Sequence, residues 1–330
     1  MSAAARILVT GGTGFVGRRL VADLLRDGAS VRVLSRSAER ARGLLPPDVE
    51  VLEGDLSDPR ALSRAVAGRD VVHHLAVSRG RGDPRRLLWR VNVEGTRFLL
   101  EAARAEGVRR FVHVSTCGVL GHVADPPADE TRPHRPGYDY QATKSEAEII
   151  ALGFHERGDL PVTIARPSSI YGPGDFKLRK LFRAVARRRF VMVGSGRVFT
   201  HHVHVEDVVR GLRLLERRPE APGEVFILAD ERYRPLNELV ALVADIVGVP
   251  RPRLRLPALP FRVGAAILED VCLRLGIQPP IHRRSVYMFT KSRAFSIEKA
   301  RRRLGYQPQV ELEAGLRELA AWHRAAGHLS

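Results

Sequence analysis

Apolar positions in the first half of this chain follow two alternating rhythms. Short unbroken runs such as Ile7-Leu8-Val9 suit strands buried on both faces. Spaced sets such as Phe15, Val16, Leu20, Leu24 and Leu25 line one side of a helix. The first rhythm predicts strands near 6–10, 31–35, 49–53, 70–74, 110–115 and 161–166. The second predicts helices near 14–27, 59–67, 85–105 and 140–156. Strand and helix patterns in alternation imply right-handed crossovers and an α/β, doubly wound parallel sheet. From about Pro167 the rhythm breaks. Gly172-Pro173-Gly174, Pro219, Pro222, Pro250, Pro252, Pro257 and Pro260 punctuate it. A smaller mixed C-terminal region is expected over 168–330, interleaved with the last strands and helices of the sheet.

The first strand runs straight into Gly11, Gly14 and Gly17, spaced three apart, and then into the first helix. Strand, glycine turn and helix together mark a dinucleotide site, so 1–167 reads as a Rossmann-type dinucleotide-binding domain. Glycines let the backbone approach a pyrophosphate, and the helix N-terminus offers N–H groups to it. Thr13, Phe15 and Val16 share that loop. The second strand ends at Ser35-Arg36, where an NAD site places Asp or Glu on the ribose 2′-hydroxyl. No acid stands there. Arg36 suits a 2′-phosphate and Ser35 a hydrogen bond, which favours NADP(H) while leaving NAD(H) open. Asp55 and Leu56 end the third strand, with Asp55 able to accept from the adenine amino group. Leu75 and Ala76 follow the fourth, where small residues let the backbone pass the cofactor.

Candidate chemistry lies further along. Ser115-Thr116 closes the fifth strand, and Tyr140 and Lys144 share a helical face at i and i+4. A free tyrosine titrates near 10, and a nearby ammonium favours its phenolate. Tyr140 then serves as general acid or base while Ser115 or Thr116 holds the substrate oxygen. Tyr138 has Ala142 at i+4 and lacks this pairing.

These stretches resemble the extended short-chain dehydrogenases/reductases, the NAD-dependent epimerase/dehydratase superfamily. The likeness is carried by Thr10 to Gly17, Asp55-Leu56, Asn92-Val93-Glu94-Gly95-Thr96, Ser115-Thr116, Tyr140 with Lys144, and Arg166-Pro167. Phe295 to Pro308 adds the family's C-terminal piece. The resemblance implies Thr116, Tyr140 and Lys144 as catalytic residues, with Ser115 beside them. It places Asn92 on the lysine side, and Pro167 and Ser169 at the cofactor. A homodimer through a two-helix face is common in the family.

Substrate class turns on two departures. Sugar-nucleotide members carry Arg-Asp where this chain has Thr200-His201, so a diphosphate loses its expected partner. The segment 254–289 is apolar with a basic rim and resembles the 3β-hydroxysteroid dehydrogenase-like branch. It reads as an ordinary core helix, as a lid over a lipophilic substrate carrying a carboxylate, or as a peripheral membrane contact. An alcohol/ketone oxidoreductase acting on a sterol-like or 3-oxoacid-like substrate leads. A nucleotide-sugar epimerase is the alternative.

Composition narrows this little. The chain has 330 residues, 44% hydrophobic, with a formal net charge of +17. Its arginines are spread without aromatic interleaving, so a solvated basic surface is expected and no nucleic-acid partner. Two cysteines, Cys117 and Cys272, build no disulfide framework and suggest a reducing compartment. Cys117, beside the site, would be open to oxidation. Met1 to Ala5 is too short for a signal peptide, and no run of about 18 uncharged apolar residues exists. A cytoplasmic protein follows, with association to a membrane through 254–289 as the other setting. His201, His202 and His204 have no cysteine or carboxylate set to complete a ligand cluster, so no metal is expected.

Overall fold

A computed structural model describes residues 4–78, 85–275, 277 and 289–329. Seven strands form one sheet: β1 (Arg6–Thr10), β2 (Ser30–Ser35), β3 (Glu50–Glu53), β4 (Val71–His74), β5 (Arg110–Val114), β6 (Val162–Pro167) and a last strand, Val225–Leu228. The order across it is Val225–Leu228, β6, β5, β4, β1, β2, β3, with every neighbour parallel. The chain winds outward from β1 to β3, then restarts at β4 on the other side of β1. Direction therefore switches between β1 and β4, and a crevice opens at their carboxyl ends.

Residues of β1 show why its apolar run is unbroken. Ile7 and Val9 belong to one cluster, with Leu20 and Leu24 of helix α1 (Phe15–Arg26) and with Val208 and Leu212 of the helix Val205–Arg217. Leu8, between them, belongs to the opposite cluster with Leu62, Leu99 and Phe154. Alternate side chains enter opposite faces, and helices cover both. This is the doubly wound Rossmann-type sheet the pattern predicted.

Three elements depart from the expected list, the first being a short helix, Ala38–Arg42, between β2 and β3. Val225–Leu228 pairs with β6, aligning Val225 with Ile164. It is four residues long, follows Pro219, Pro222 and Gly223, and carries no periodicity of its own. The expected helix near 85–105 is three pieces: Arg85–Trp89, a π-helical turn Arg90–Glu94, and Gly95–Ala105. The wide turn holds Asn92.

A third cluster joins the helices Arg179–Ala186, Leu236–Val247 and Leu312–Ala325 through Phe182, Val185, Leu239, Val243, Leu316 and Leu319. The helix Ala258–Arg274 is different. Leu259, Val263, Ile267, Val271 and Leu275 recur every four residues and are 47–68% exposed. That spacing makes one continuous apolar stripe facing outward. The expectation of an ordinary core helix is corrected: a core helix would have turned this stripe inward. Residues 278–288 of the same insert lie outside those described. No helix among the described residues is long and apolar enough to cross a membrane.

Candidate active site at the switch of the sheet

The glycine loop lies at the carboxyl end of β1. Gly11 has φ +72°, and a Cβ there would stand 2.7 Å from the Ala76 nitrogen. The loop after β1 thus touches the loop after β4, and Leu75 and Ala76 form its wall. A Cβ on Gly17 would fall 2.2 Å from the Gly11 oxygen, so α1 can approach the loop only with glycine. Gly14 is the N-cap of α1 and offers no side-chain cap, and no acid occupies the first turn. Thr13, Phe15 and Val16 therefore bound a helix start whose N–H groups have no side chain of the cap to satisfy them. That is the cradle a pyrophosphate needs, and the residues present fit a dinucleotide.

At the far end of the crevice, Ser35 donates to the Ser37 oxygen at 3.0 Å, shaping the turn that carries the exposed Arg36. Asp55 accepts from the Ser57 amide and hydroxyl at 2.8 and 2.7 Å. Burial raises its pKa, but the Ser57 bonds and the nearby Arg36 outweigh this and hold it below the usual carboxylate value. Leu56 is buried beneath. Pro167 ends β6, and Ser169 opens a short strand, Ser169–Tyr171, paired with His202–His204.

The chemical residues stand between these loops. Tyr140 and Lys144 lie on the helix Asp139–Glu156. Lys144 is 3% exposed, and burial pulls its pKa down to about 7 against a smaller opposing pull from Glu148. Its Nζ is 3.1 Å from Nε2 of His113 on β5. His113 is fully buried, and burial beside Lys144 and His74 holds its pKa well below the usual value. A neutral ring facing an ammonium presents its lone pair, so His113 Nε2 accepts and Nδ1 carries the proton.

His74 is oriented by a chain of bonds with one consistent direction. The Ala76 amide donates to Thr10 Oγ1, which donates to His74 Nδ1 at 2.7 Å. His74 Nε2 donates to Thr96 Oγ1 at 3.0 Å, and Thr96 donates to the Asn92 oxygen at 2.7 Å. Burial lowers the His74 pKa to about 3, so the ring stays neutral. The chain ties the glycine-loop wall to the π turn.

Asn92 then ties the π turn to the helix Asp139–Glu156. Its Oδ1 accepts from the Ser78 amide at 2.7 Å, and its Nδ2 donates to the Ser78 oxygen and to Thr143 Oγ1. Thr143 donates to the Tyr140 oxygen at 2.9 Å. The wide turn and these Asn92 bonds occur together, as π turns often do where a side chain has a specific task.

Ser115 and Thr116 have different settings. Ser115 is 4% exposed and faces Glu148, which pairs with Arg166 and with His134. Thr116 is half-buried and caps the turn Cys117–Leu120, accepting from the Gly118 amide at 3.1 Å. Gln141, next to Tyr140, packs on Gly118. Ser115 thus faces the buried Glu148–Arg166 pair, while Thr116 keeps part of its surface exposed. Cys117 is buried, donates to the Arg166 oxygen at 3.0 Å, and has its pKa pushed well up by burial. A buried neutral thiol is inert, which corrects the expectation of oxidation sensitivity.

Sequence reasoning missed His113 and His74. Both are histidines at fully buried strand positions, and that oddity was the available signal. The strand histidines it did single out are structural. His201 Nε2 donates to the Asp230 oxygen at 2.8 Å, and its Nδ1 accepts from the Phe295 amide at 3.2 Å.

Known proteins agree with this architecture. A model of the NAD dependent epimerase/dehydratase family matches residues 7–229. A ketoreductase of Stigmatella aurantiaca that acts on a farnesylated dihydroquinoline oxide is 33% identical, over 94% of each chain. A 2-alkyl-3-oxoalkanoate reductase of Stenotrophomonas maltophilia is also 33% identical, over 96% of this chain and 98% of that one. Among solved structures, MoeE5 in complex with UDP-glucuronic acid and NAD aligns with TM-score 0.76 and 28% identity, covering 98% of this chain and 100% of that one.

Proposed function

The chain belongs to the NAD dependent epimerase/dehydratase family and is an NAD(P)-dependent enzyme of the dehydrogenase/reductase type, and from that premise we propose that it interconverts a secondary alcohol and a ketone on a lipophilic, sterol-like or 3-oxoacid-like substrate. The observation that carries this reading is Lys144, buried one helical turn from Tyr140 and held by His113. In reduction, Tyr140 gives its hydroxyl proton to the carbonyl oxygen, which Thr116 holds by a hydrogen bond. In oxidation, Tyr140 takes that proton back. Lys144 supplies the positive charge that favours the phenolate and a donor for the ribose of the nicotinamide. The bound nicotinamide supplies or accepts the hydride. Asn92, through Thr143, keeps the Tyr140 turn in register. Gly11, Thr13, Gly14, Phe15, Val16 and Gly17 would cradle the pyrophosphate, with Asp55, Leu56, Leu75, Ala76, Pro167 and Ser169 along the rest of the cofactor.

NADP(H) is the preferred partner in this reading. Arg36 is exposed beside Asp55 at the end of β2, where a 2′-phosphate would meet it. The alternative is a nucleotide-sugar epimerase, the kind of substrate that accompanies MoeE5. Against it, Thr200 donates to the Arg234 oxygen at 3.2 Å and both His201 ring nitrogens are engaged in the fold. Neither offers a diphosphate what an Arg-Asp pair would.

The lipophilic character rests on the insert. Its outward apolar stripe follows Arg251, Arg253 and Arg255, an arrangement suited to a lipid surface that also holds the substrate.

Two measurements test the proposal together. The purified protein is first analysed for carried cofactor, then titrated with NADPH and NADH. Loose cofactor, with NADPH bound about tenfold tighter or more, roughly 1.4 kcal/mol, is expected. Arg36→Asp should reverse that preference. Tightly retained NAD in the wild type would move the assignment to the epimerase.

A further inference from the structure

Several buried or partly buried arginines among the described residues have acidic partners. Arg166 pairs with Glu148, Arg213 with Glu216 and Asp27, and Arg19 with Glu206 at 3.1 Å. Arg293 pairs with no Asp or Glu among the described residues. Its side chain keeps part of its surface exposed, yet burial lowers its pKa, with an opposing contribution from Tyr138. A guanidinium taken out of water without an anion is costly, so a fold that keeps one there needs a reason.

The surrounding backbone fixes where Arg293 lies. The segment 292–295 is laced between two walls of the cleft. On one side, Val123 donates to the Ser292 oxygen at 3.0 Å and Ala128 to the Ala294 oxygen at 2.9 Å. These belong to the loop that leads into the Tyr140 helix. On the other side, Arg293 itself donates to the Phe199 oxygen at 2.9 Å, and Phe295 to His201 Nδ1 at 3.2 Å. Arg293 thus sits between the run into Tyr140 and the strand that carries His202. Tyr138 and His202 both lie within its electrostatic reach. The Tyr138 ring stacks on Tyr140, with centroids 6.3 Å apart. His202, buried and held neutral, and Lys177 add no negative charge to the space.

We propose that Arg293 is an anion subsite on the substrate side of Tyr140, which selects a lipophilic substrate by its carboxylate. A planar guanidinium matches a carboxylate with two parallel N–H···O bonds, and a low-dielectric cleft strengthens them. The substrate anion would supply the partner that the chain withholds. The inference deepens the function proposed above, because it takes Tyr140 as the reacting end of the cleft.

Matched probes separate the two. Dodecanoate and dodecanol share a chain and differ in charge, and their binding is measured by calorimetry with and without added NADP. The wild type should bind dodecanoate at least about tenfold tighter, roughly 1.4 kcal/mol. Arg293→Leu should abolish the difference, and Arg293→Lys should keep part of it, with the dodecanol affinity unchanged in both. Equal affinity for the two probes in the wild type overturns the subsite. So does an Arg293→Leu protein that melts normally yet still prefers the acid, or an equal loss for both probes. Hydride transfer to a long-chain 3-oxoacid is measured alongside. Its absence, with the acid preference intact, would sink the oxidoreductase reading and leave the subsite standing.

Discussion

Helix α1 and the helix Ala258–Arg274 carry the same kind of apolar stripe and put it to opposite use. In α1, Leu20, Val21 and Leu24 are fully buried against the sheet. In Ala258–Arg274, Leu259, Val263 and Ile267 are more than half exposed. Periodicity tells which side chains lie together. It does not tell what covers them, because that depends on neighbours far along the chain. The first stripe is sealed by the sheet, while the second is left for something outside the described fold.

The contrast can be broken by stability measurements. Leu20→Ala removes atoms from a sealed core and should cost about 2–5 kcal/mol in chemical denaturation. Lys144→Met should stabilise the protein, in a pH-dependent way. The lysine pKa falls from 10.5 to about 7 on folding. The unfolded chain therefore binds more protons between those values, and wild-type stability rises with pH across that window. The methionine variant lacks this rise, so its advantage in melting temperature should be greatest at and below about pH 7 and vanish towards about pH 10. An advantage that grows with pH would contradict the burial of Lys144.

His113→Leu removes the acceptor from the lysine. Hydrogen bonds to charged groups contribute about 1.5–3 kcal/mol, so turnover should fall roughly 10- to 150-fold. The loss of that acceptor favours neutral Lys144, which weakens support for the Tyr140 phenolate. The rise of alcohol oxidation with pH should then move to higher pH, and His113→Gln should restore both rate and profile. An unchanged profile in a folded leucine variant would make His113 a packing residue only. The smallest effect belongs to the exposed stripe. Ile267→Ser should change stability by no more than about 0.5 kcal/mol, yet weaken sedimentation with anionic vesicles. A cost matching that of Leu20→Ala would mean that the stripe is sealed after all.

How far the sequence could be read follows from how local each cause is. The strand-loop-helix unit from Arg6 to Arg26 was legible because glycine spacing and apolar period act within a few residues. The parallel, doubly wound class of the sheet followed from alternation and handedness, while the order of its strands did not. Three more features resisted. The π turn at Arg90–Glu94 goes with bonds from Asn92 to Ser78 and Thr143, contacts 14 and 51 residues away. The strand Val225–Leu228 is too short for a pattern and exists because β6 presents an open edge. Ser115 and Thr116 look equivalent in sequence, and only strand alternation plus the Glu148–Arg166 pair sends one inward. Arg293 illustrates the same limit, since one arginine among many becomes notable only when its lack of an acid partner is visible.

One measurement bears on the whole account most directly: NADPH consumption by the wild type and by Tyr140→Phe with a long-chain 3-oxoacid as substrate. The account predicts steady oxidation by the wild type. It predicts a loss of at least about 100-fold in turnover for the variant, the scale of general acid catalysis, with NADPH affinity kept within about threefold, or ~0.7 kcal/mol. A phenylalanine variant that turns over like the wild type would contradict it, and the proton would have to come from somewhere other than Tyr140.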